Sequence, residues 1–288
     1  MPSTANDAHA GSTGTRLAWL MLIALSTGFT LSQAFRTVAA IMGPPLAQEL
    51  GLSKQQLGLW AATFHFSFGL MQLIFGVSID LWGVRRTILA AFPMAVLGAV
   101  VSALAPSFGV LLLGQAMIGT GCSPAFLVCT VFIARHFSAD RFTATSGVVM
   151  SVSGLGVLLT ATPLAALIEA TSWRWSYGAL ALLGVAAWMA IFLRVRDAAS
   201  EPAPEAATQE RQSVWQAMGG LLQLFRLPHT AGLVAYALVA YAGFITLRGL
   251  WLGPILIERH GLSLVQSGNV ALLMTLGSNL LYLSATGW

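Results

Sequence analysis

Long stretches of this chain carry almost no charge; between Arg86 and Arg135 there is no Asp, Glu, Lys or Arg at all. A soluble domain typically carries about 25% charged residues. Here 8% are charged and 57% are hydrophobic, more apolar surface than a soluble fold of this length can hide. A chain of this kind crosses a bilayer repeatedly. Each crossing needs about 20 mostly apolar residues, and eight such segments are expected, at 17–42, 55–79, 87–105, 108–134, 143–168, 174–194, 229–257 and 264–284. In hydrocarbon every backbone N–H and C=O has to be paired within the protein, which leaves helices or a closed barrel. A barrel would show alternating segments of about ten residues, and none occur. The expected fold class is all-α, a polytopic membrane helical bundle of about eight transmembrane helices.

The cations set an orientation. With the N-terminus in the cytoplasm, Arg16, Arg85, Arg86, Arg135, Arg141, Arg194, Arg196, Arg211 and Arg226 lie inside, and Lys54, Arg174 and Arg259 outside. That asymmetry follows the positive-inside rule and places the chain in the plasma membrane, the inner membrane of a bacterium. The net charge of +4 is spread over short gaps between apolar segments, so it is topology and not a face for nucleic acid. Cys122 and Cys129 share one apolar segment and read as packing residues. Residues 1–15 are polar and small and are expected to be disordered. The apolar run after Arg16 is too long for a signal-peptide core, so no cleaved leader is expected.

The longest polar stretch is 195–228. Its first part, RDAASEPAPEAATQER, has linker composition. Its second carries Trp215, Met218, Leu222 and Phe225 at helical spacing, which suits an amphipathic helix at the cytoplasmic interface. Across this linker the chain repeats itself at an offset of 210 residues: GPPLAQELGLSKQQLGLWA from Gly43 matches GPILIERHGLSLVQSGNVA from Gly253, with Gly, Pro, Ser and Gln positions shared and no gap. Parallel repeats are a known build of transporters.

Between the second and third segments lies GVSIDLWGVRR, Gly76 to Arg86. This resembles the loop between helices two and three of the major facilitator superfamily, where the pattern is G-x-x-x-D-R-x-G-R-[KR]. Gly76, Asp80, Gly83 and Arg85 match, Arg86 adds a cation, and Leu81 and Val84 stand where the family usually has cations. The resemblance implies a bundle of six helices (16–194), a cytoplasmic linker (195–228) and the first two helices (229–288) of a second bundle. By the repeat, a second copy of the loop would begin near 286, where the chain ends at Trp288, so the chain reads as shortened at its C-terminal end. The resemblance also implies that Asp80 and its arginines hold the two bundles in one state and release them during transport.

Arg36 and Arg248 lie inside the first and seventh segments. A charge at the centre of a membrane helix costs about 2.5–3.5 kcal/mol, so such residues face a cavity or a partner. Two cations at matched depth suit an anion. The placement is similar to the organophosphate:phosphate antiporter branch, which implies that Arg36 and Arg248 bind substrate, with Gln33 beside them. His65, within the second segment, is a candidate proton carrier. Gln72 and Asn279 are further polar residues suited to a cavity lining. The fourth segment resembles the family pattern at Leu111, Gly119 and Gly121, with Gln115 in place of the usual Arg. Drug/proton antiporters tie that Arg to proton coupling and carry a Gly-Pro pair in the fifth segment; Pro163 lacks the Gly. No nucleotide-binding loop, metal-ligand cluster or Ser/His/Asp arrangement occurs, so no enzyme activity, cofactor or metal is expected. The leading expectation is a secondary transporter of a small anionic metabolite, with a proton or counter-anion as coupling partner. The other readings are an efflux permease for hydrophobic compounds and a shortened membrane protein that does not transport.

Overall fold

The computed structural model describes residues 4–196, 227 and 229–285. The linker helix expected around Trp215, Met218, Leu222 and Phe225 lies outside the described residues, as do Arg211, Arg226 and the side chain of Asn279. The described residues form helices α1 (Thr4–Leu50), α2 (Lys54–Ala103), α3 (Phe108–Cys122), α4 (Ala125–His136), α5 (Ala139–Leu159), α6 (Thr162–Ala170) and α7 (Trp173–Arg194), then α8 (Thr230–Thr246), a π-helical turn at Leu247–Trp251, α9 (Leu252–His260) and α10 (Leu264–Ala285). The lead-in expected to be disordered is helical in its backbone from Thr4. No proline lies between Thr4 and Arg16, so nothing stops the first helix from running back through it.

Five helical stretches are long and apolar enough to cross a membrane: Thr15–Leu50, Lys54–Ala103, Phe108–His136, Ala139–Ala170 and Trp173–Arg194. The second is two crossings in one. At Gly83 the backbone takes φ 84° and ψ 168°, a region that glycine alone enters without strain, and the chain folds back into the third crossing. The fourth and fifth crossings are each jointed, by Ser123–Pro124 between α3 and α4 and by Thr160–Ala161 between α5 and α6, where Pro163 opens the new helix. The run α8–π turn–α9 and helix α10 stand at the expected seventh and eighth segments and are numbered as such. A closed core fills the first six, with Trp60, Phe64, Phe92, Trp173 and Tyr177 almost fully buried.

The repeat survives as geometry. Gly51 and Gly261 both close their helices in the left-handed region, at φ 63° and φ 66°. Each is followed by a reciprocal cap. The Ser53 amide donates to Gln56 Oε1 at 2.9 Å and the Gln56 amide to Ser53 Oγ at 3.2 Å; Ser263 and Gln266 repeat this at 2.8 and 3.1 Å. The two copies also pack against each other with reciprocal partners. A methyl group at Gly253 would collide with the Ala40 carbonyl, and one at Gly43 would sit 3.9 Å from Leu250; Ala40 and Leu250 are themselves 210 residues apart. The first and seventh crossings therefore meet about a local two-fold.

Candidate functional site

Three residues apart on α1, Gln33 and Arg36 share a face, as do His65 and Phe68 on α2. These faces meet. The Arg36 guanidinium carbon lies 4.6 Å from the centre of the Phe68 ring, a cation–π distance. Arg36 Nη1 donates to the Tyr241 hydroxyl of α8 at 2.6 Å. One side chain thus ties the first, second and seventh crossings together. His65 Nδ1 is 3.0 Å from the Ala61 carbonyl oxygen, and His65 lies within electrostatic reach of Arg36. Gln33 Oε1, Arg36 Nε and His65 Nε2 are buried without a hydrogen-bond partner among the described residues.

Arg248 sits in the π-helical turn, a distortion common where a helix aims a side chain at a function. Its Nη2 donates to Thr275 Oγ1 on α10, and its guanidinium carbon is 5.5 Å from the centre of the Phe244 ring. Thr275 is the repeat equivalent of His65. Arg248 thus bonds the position that His65 occupies in the first half, whereas Arg36 lies on Phe68, one turn further along. The two arginines are not strict equivalents, because Arg36 corresponds to Thr246.

Gly119 and Gly121 are packing positions: a methyl at the former would strike Phe64 and Ser67 of the second crossing, and at the latter Ala91 and Ala95 of the third. Gln115 is buried in that wall, with Oε1 lacking a partner among the described residues. Gln72 is half-buried. Phe68, Tyr241 and Thr275 were not singled out by sequence. Adding 210 to His65 would have pointed to Thr275, but nothing in the order of residues announces the pairing of Arg36 with Tyr241.

Around the Gly83 bend, Asp80 pairs with Arg135 at 3.7 Å, at the end of the fourth crossing. Arg85 Nε and Nη2 donate to the carbonyls of Val195 and Phe192 at 2.6 and 3.2 Å, satisfying the open end of α7. Arg86 is exposed. Gly76 approaches Leu127 of the fourth crossing. These contacts of the loop all fall within the first six crossings. At the opposite end, marked by Gly51 and Gly261, the two parts of the chain are joined. Lys54 Nζ meets Glu258 Oε2 at 2.8 Å. Glu169 Oε1 accepts from the Val265 amide at 3.2 Å, and Thr162 donates to Asn269 Oδ1 at 2.6 Å. Beside this closure, Pro45, Gln48, Glu49, Ile168, Ser172 and Trp173 line a cavity of about 310 Å³, where Glu49 accepts from Trp173 Nε1 at 2.6 Å and pairs with Arg174. No residue of α8 is buried among the described residues.

The family model for the Major Facilitator Superfamily matches residues 24–287. A hexuronate transporter of Bacillus subtilis is 24% identical over 234 residues, covering 79% of this chain and 54% of the relative. A fosmidomycin resistance protein of Escherichia coli is 30% identical over 122 residues, covering 42% and 30%. The chain thus spans about half the length of the first of these relatives and under a third of the second. A crystal structure of a bacterial homolog of the human lysosomal transporter Spinster, inward-facing and unoccupied, superposes with a TM-score of 0.69 at 18% identity, covering 91% of this chain and 61% of that one.

Proposed function

The chain belongs to the Major Facilitator Superfamily, and from that premise we propose that it is a secondary transporter carrying a small anionic metabolite by alternating access. The observation that carries this is Arg36, whose guanidinium is held by Phe68 and Tyr241 where the first, second and seventh crossings meet. A cation kept at that depth is matched by an anionic ligand at lower cost than by lipid. The relative named for hexuronate, an acid, supports the same charge. With the N-terminus in the cytoplasm of the plasma membrane, the joined Gly51 end is the outer side. Substrate then moves with a proton or against a counter-anion.

The fosmidomycin resistance relative favours export as the direction of a second reading, in which the cargo is a hydrophobic foreign compound that needs no guanidinium. The two readings part at Arg36. In vesicles, Arg36→Gln is expected to abolish anion uptake by the full transporter; export that continues undiminished in the same variant would support the second reading and remove the first.

A further inference from the structure

We propose that α6 is a separately moving gate at the Gly51 end: it pivots on Thr160–Ala161, holds α10 through Thr162 and Glu169, and tilts into the cavity behind its tip when it lets go. This rests on the alternating-access reading above and names the piece of backbone that moves. The joint divides the fifth crossing between two sets of bonds. On one side, α5 is fastened to the first crossing. Thr30 Oγ1 donates to the Val152 carbonyl at 3.3 Å, a methyl at Gly156 would collide with the Thr30 carbonyl, and the Thr37 and Thr160 hydroxyls lie 2.8 Å apart. On the other side, α6 is fastened to the eighth crossing. Thr162 and Glu169 stand two turns apart on one face of α6. Thr162 Oγ1 donates to Asn269 Oδ1 at 2.6 Å, and the Val265 amide donates to Glu169 Oε1 at 3.2 Å. A methyl at Gly268 would stand 3.0 Å from the Thr162 backbone. The joint itself is a poor rod. Pro163 has no N–H to return to Leu159, the Ala161 amide turns to the Leu158 carbonyl at 3.2 Å, and Ala161 leaves the helical region at φ −86° and ψ −116°. A helix beyond such a break can change its angle without unwinding its neighbours. Glu169 suits a bond that is made and broken. The reciprocal cap of α10 uses the amides of Ser263 and Gln266, which leaves the Val265 amide for a carboxylate from the other part of the chain. An acid at a helix N-terminus is favourable, and modestly so where it is exposed, as Glu169 is. Behind the tip of α6 there is space: Ile168, next to Glu169, lines the cavity of about 310 Å³ together with Pro45 and Trp173. A helix released from α10 can tilt into it, where an interior packed to ordinary density would hold it still. α6 is thereby a hinged strap and not the rigid end of the fifth crossing.

The test reads two distances by electron–electron double resonance in the purified chain in lipid nanodiscs. Spin labels are carried on Ser107→Cys with His260→Cys, across the two parts, and on Ser107→Cys with Ala170→Cys, from the first part to the tip of α6; all three positions are exposed. Ser107 makes no side-chain cap bond that labelling would remove. One dominant distance is expected for each pair in the otherwise unchanged chain. Glu169→Ala is expected to raise a second, longer Ser107–His260 population about two- to fivefold, the effect of one charge at a helix N-terminus, and to raise a second Ser107–Ala170 population by the same factor. Adding Ser172→Trp fills the cavity, at a residue that makes no side-chain cap bond, and is expected to remove the second population from both pairs. A Ser107–His260 distance that splits while Ser107–Ala170 stays single would show α6 moving rigidly with the first part; that overturns the inference and leaves alternating access intact. This comparison stands on Glu169→Ala alone if the filled variant does not fold. A second population that persists undiminished in a folded Ser172→Trp variant overturns the inference as well, because the cavity is then not where α6 goes. If Ser107–His260 keeps one distance even when Thr162→Val and Glu169→Ala are combined, this end does not open, and the gate falls together with the alternating-access reading.

Discussion

At Arg36 the guanidinium does two things that an ammonium could not do together: it lies flat on Phe68 and points a planar N–H at Tyr241. The Tyr241 hydroxyl accepts that bond, so its own hydrogen is free to turn toward an acid group held by the same arginine. Tyr241→Phe keeps the ring and removes this donor. It is expected to weaken binding of an organic acid about two- to tenfold, the range for a hydrogen bond beside a charge at a half-exposed position, with the melting temperature little changed because Tyr241 is 50% exposed. Unchanged affinity in a calorimetric titration would limit Tyr241 to tying the seventh crossing in place. The sequence made Arg36 conspicuous because charge inside an apolar segment is costly. It left Tyr241 and Phe68 unremarked because aromatic residues are ordinary in such segments. Their partnership depends on a contact between residues 205 apart in the chain, which packing decides and local pattern does not.

At the scale of elements, the bend at Gly83 is the most exacting piece of backbone. Its φ of 84° with ψ of 168° costs any other residue about 1–3 kcal/mol. It also aims Arg85 at the carbonyls of Phe192 and Val195. Gly83→Ala is expected to lower the thermal midpoint by several degrees in a melt of the purified protein, and Arg85→Ala by less, since Arg85 is only partly buried. Equal melting of Gly83→Ala and wild type would mean the bend relaxes at no cost. Crossings were legible here because each is a charge-poor run long enough for the hydrocarbon core, but the segments expected to stop at 42 and 257 run on to Leu50 and His260, where Gly51 and Gly261 close them. The joints were less so. Pro124 and Pro163 mark theirs, but the π-helical turn at Leu247–Trp251 holds only Gly249, which by itself announces no joint, and it lies where Leu250 packs under Gly43 and Gly253 under Ala40. Asp80 was expected among the arginines that follow it, yet it pairs with Arg135, because the bend carries Arg85 away toward α7.

For the molecule as a whole, the asymmetry between its two ends is what a transport cycle would have to reverse. At the Gly51 end a surface ion pair, two polar contacts to α10 and the reciprocal glycine packing join the parts; at the Gly83 end the bonds of Asp80 and Arg85 stay within the first six crossings. The Lys54–Glu258 pair is more than half exposed, so by itself it contributes little stability, about 0–1 kcal/mol, an amount that can bias a two-state balance without fixing it. The glycine contacts are the firmer part of the closure, since nothing larger fits between Gly253 and Ala40. Two outcomes follow for a protein that alternates. Joining Cys residues placed at Lys54 and Glu258 with a short bifunctional thiol reagent is expected to stop anion uptake completely. The native thiols of Cys122 and Cys129 are buried and stay out of this reaction. Swapping the charges in Lys54→Glu with Glu258→Lys keeps the attraction and is expected to keep transport, whereas Lys54→Glu alone sets two carboxylates together and shifts the population toward opening at this end. If the cross-linked protein transported at the wild-type rate, the Gly51 end would not need to part, and alternating access about this closure would be the wrong account of how the chain works.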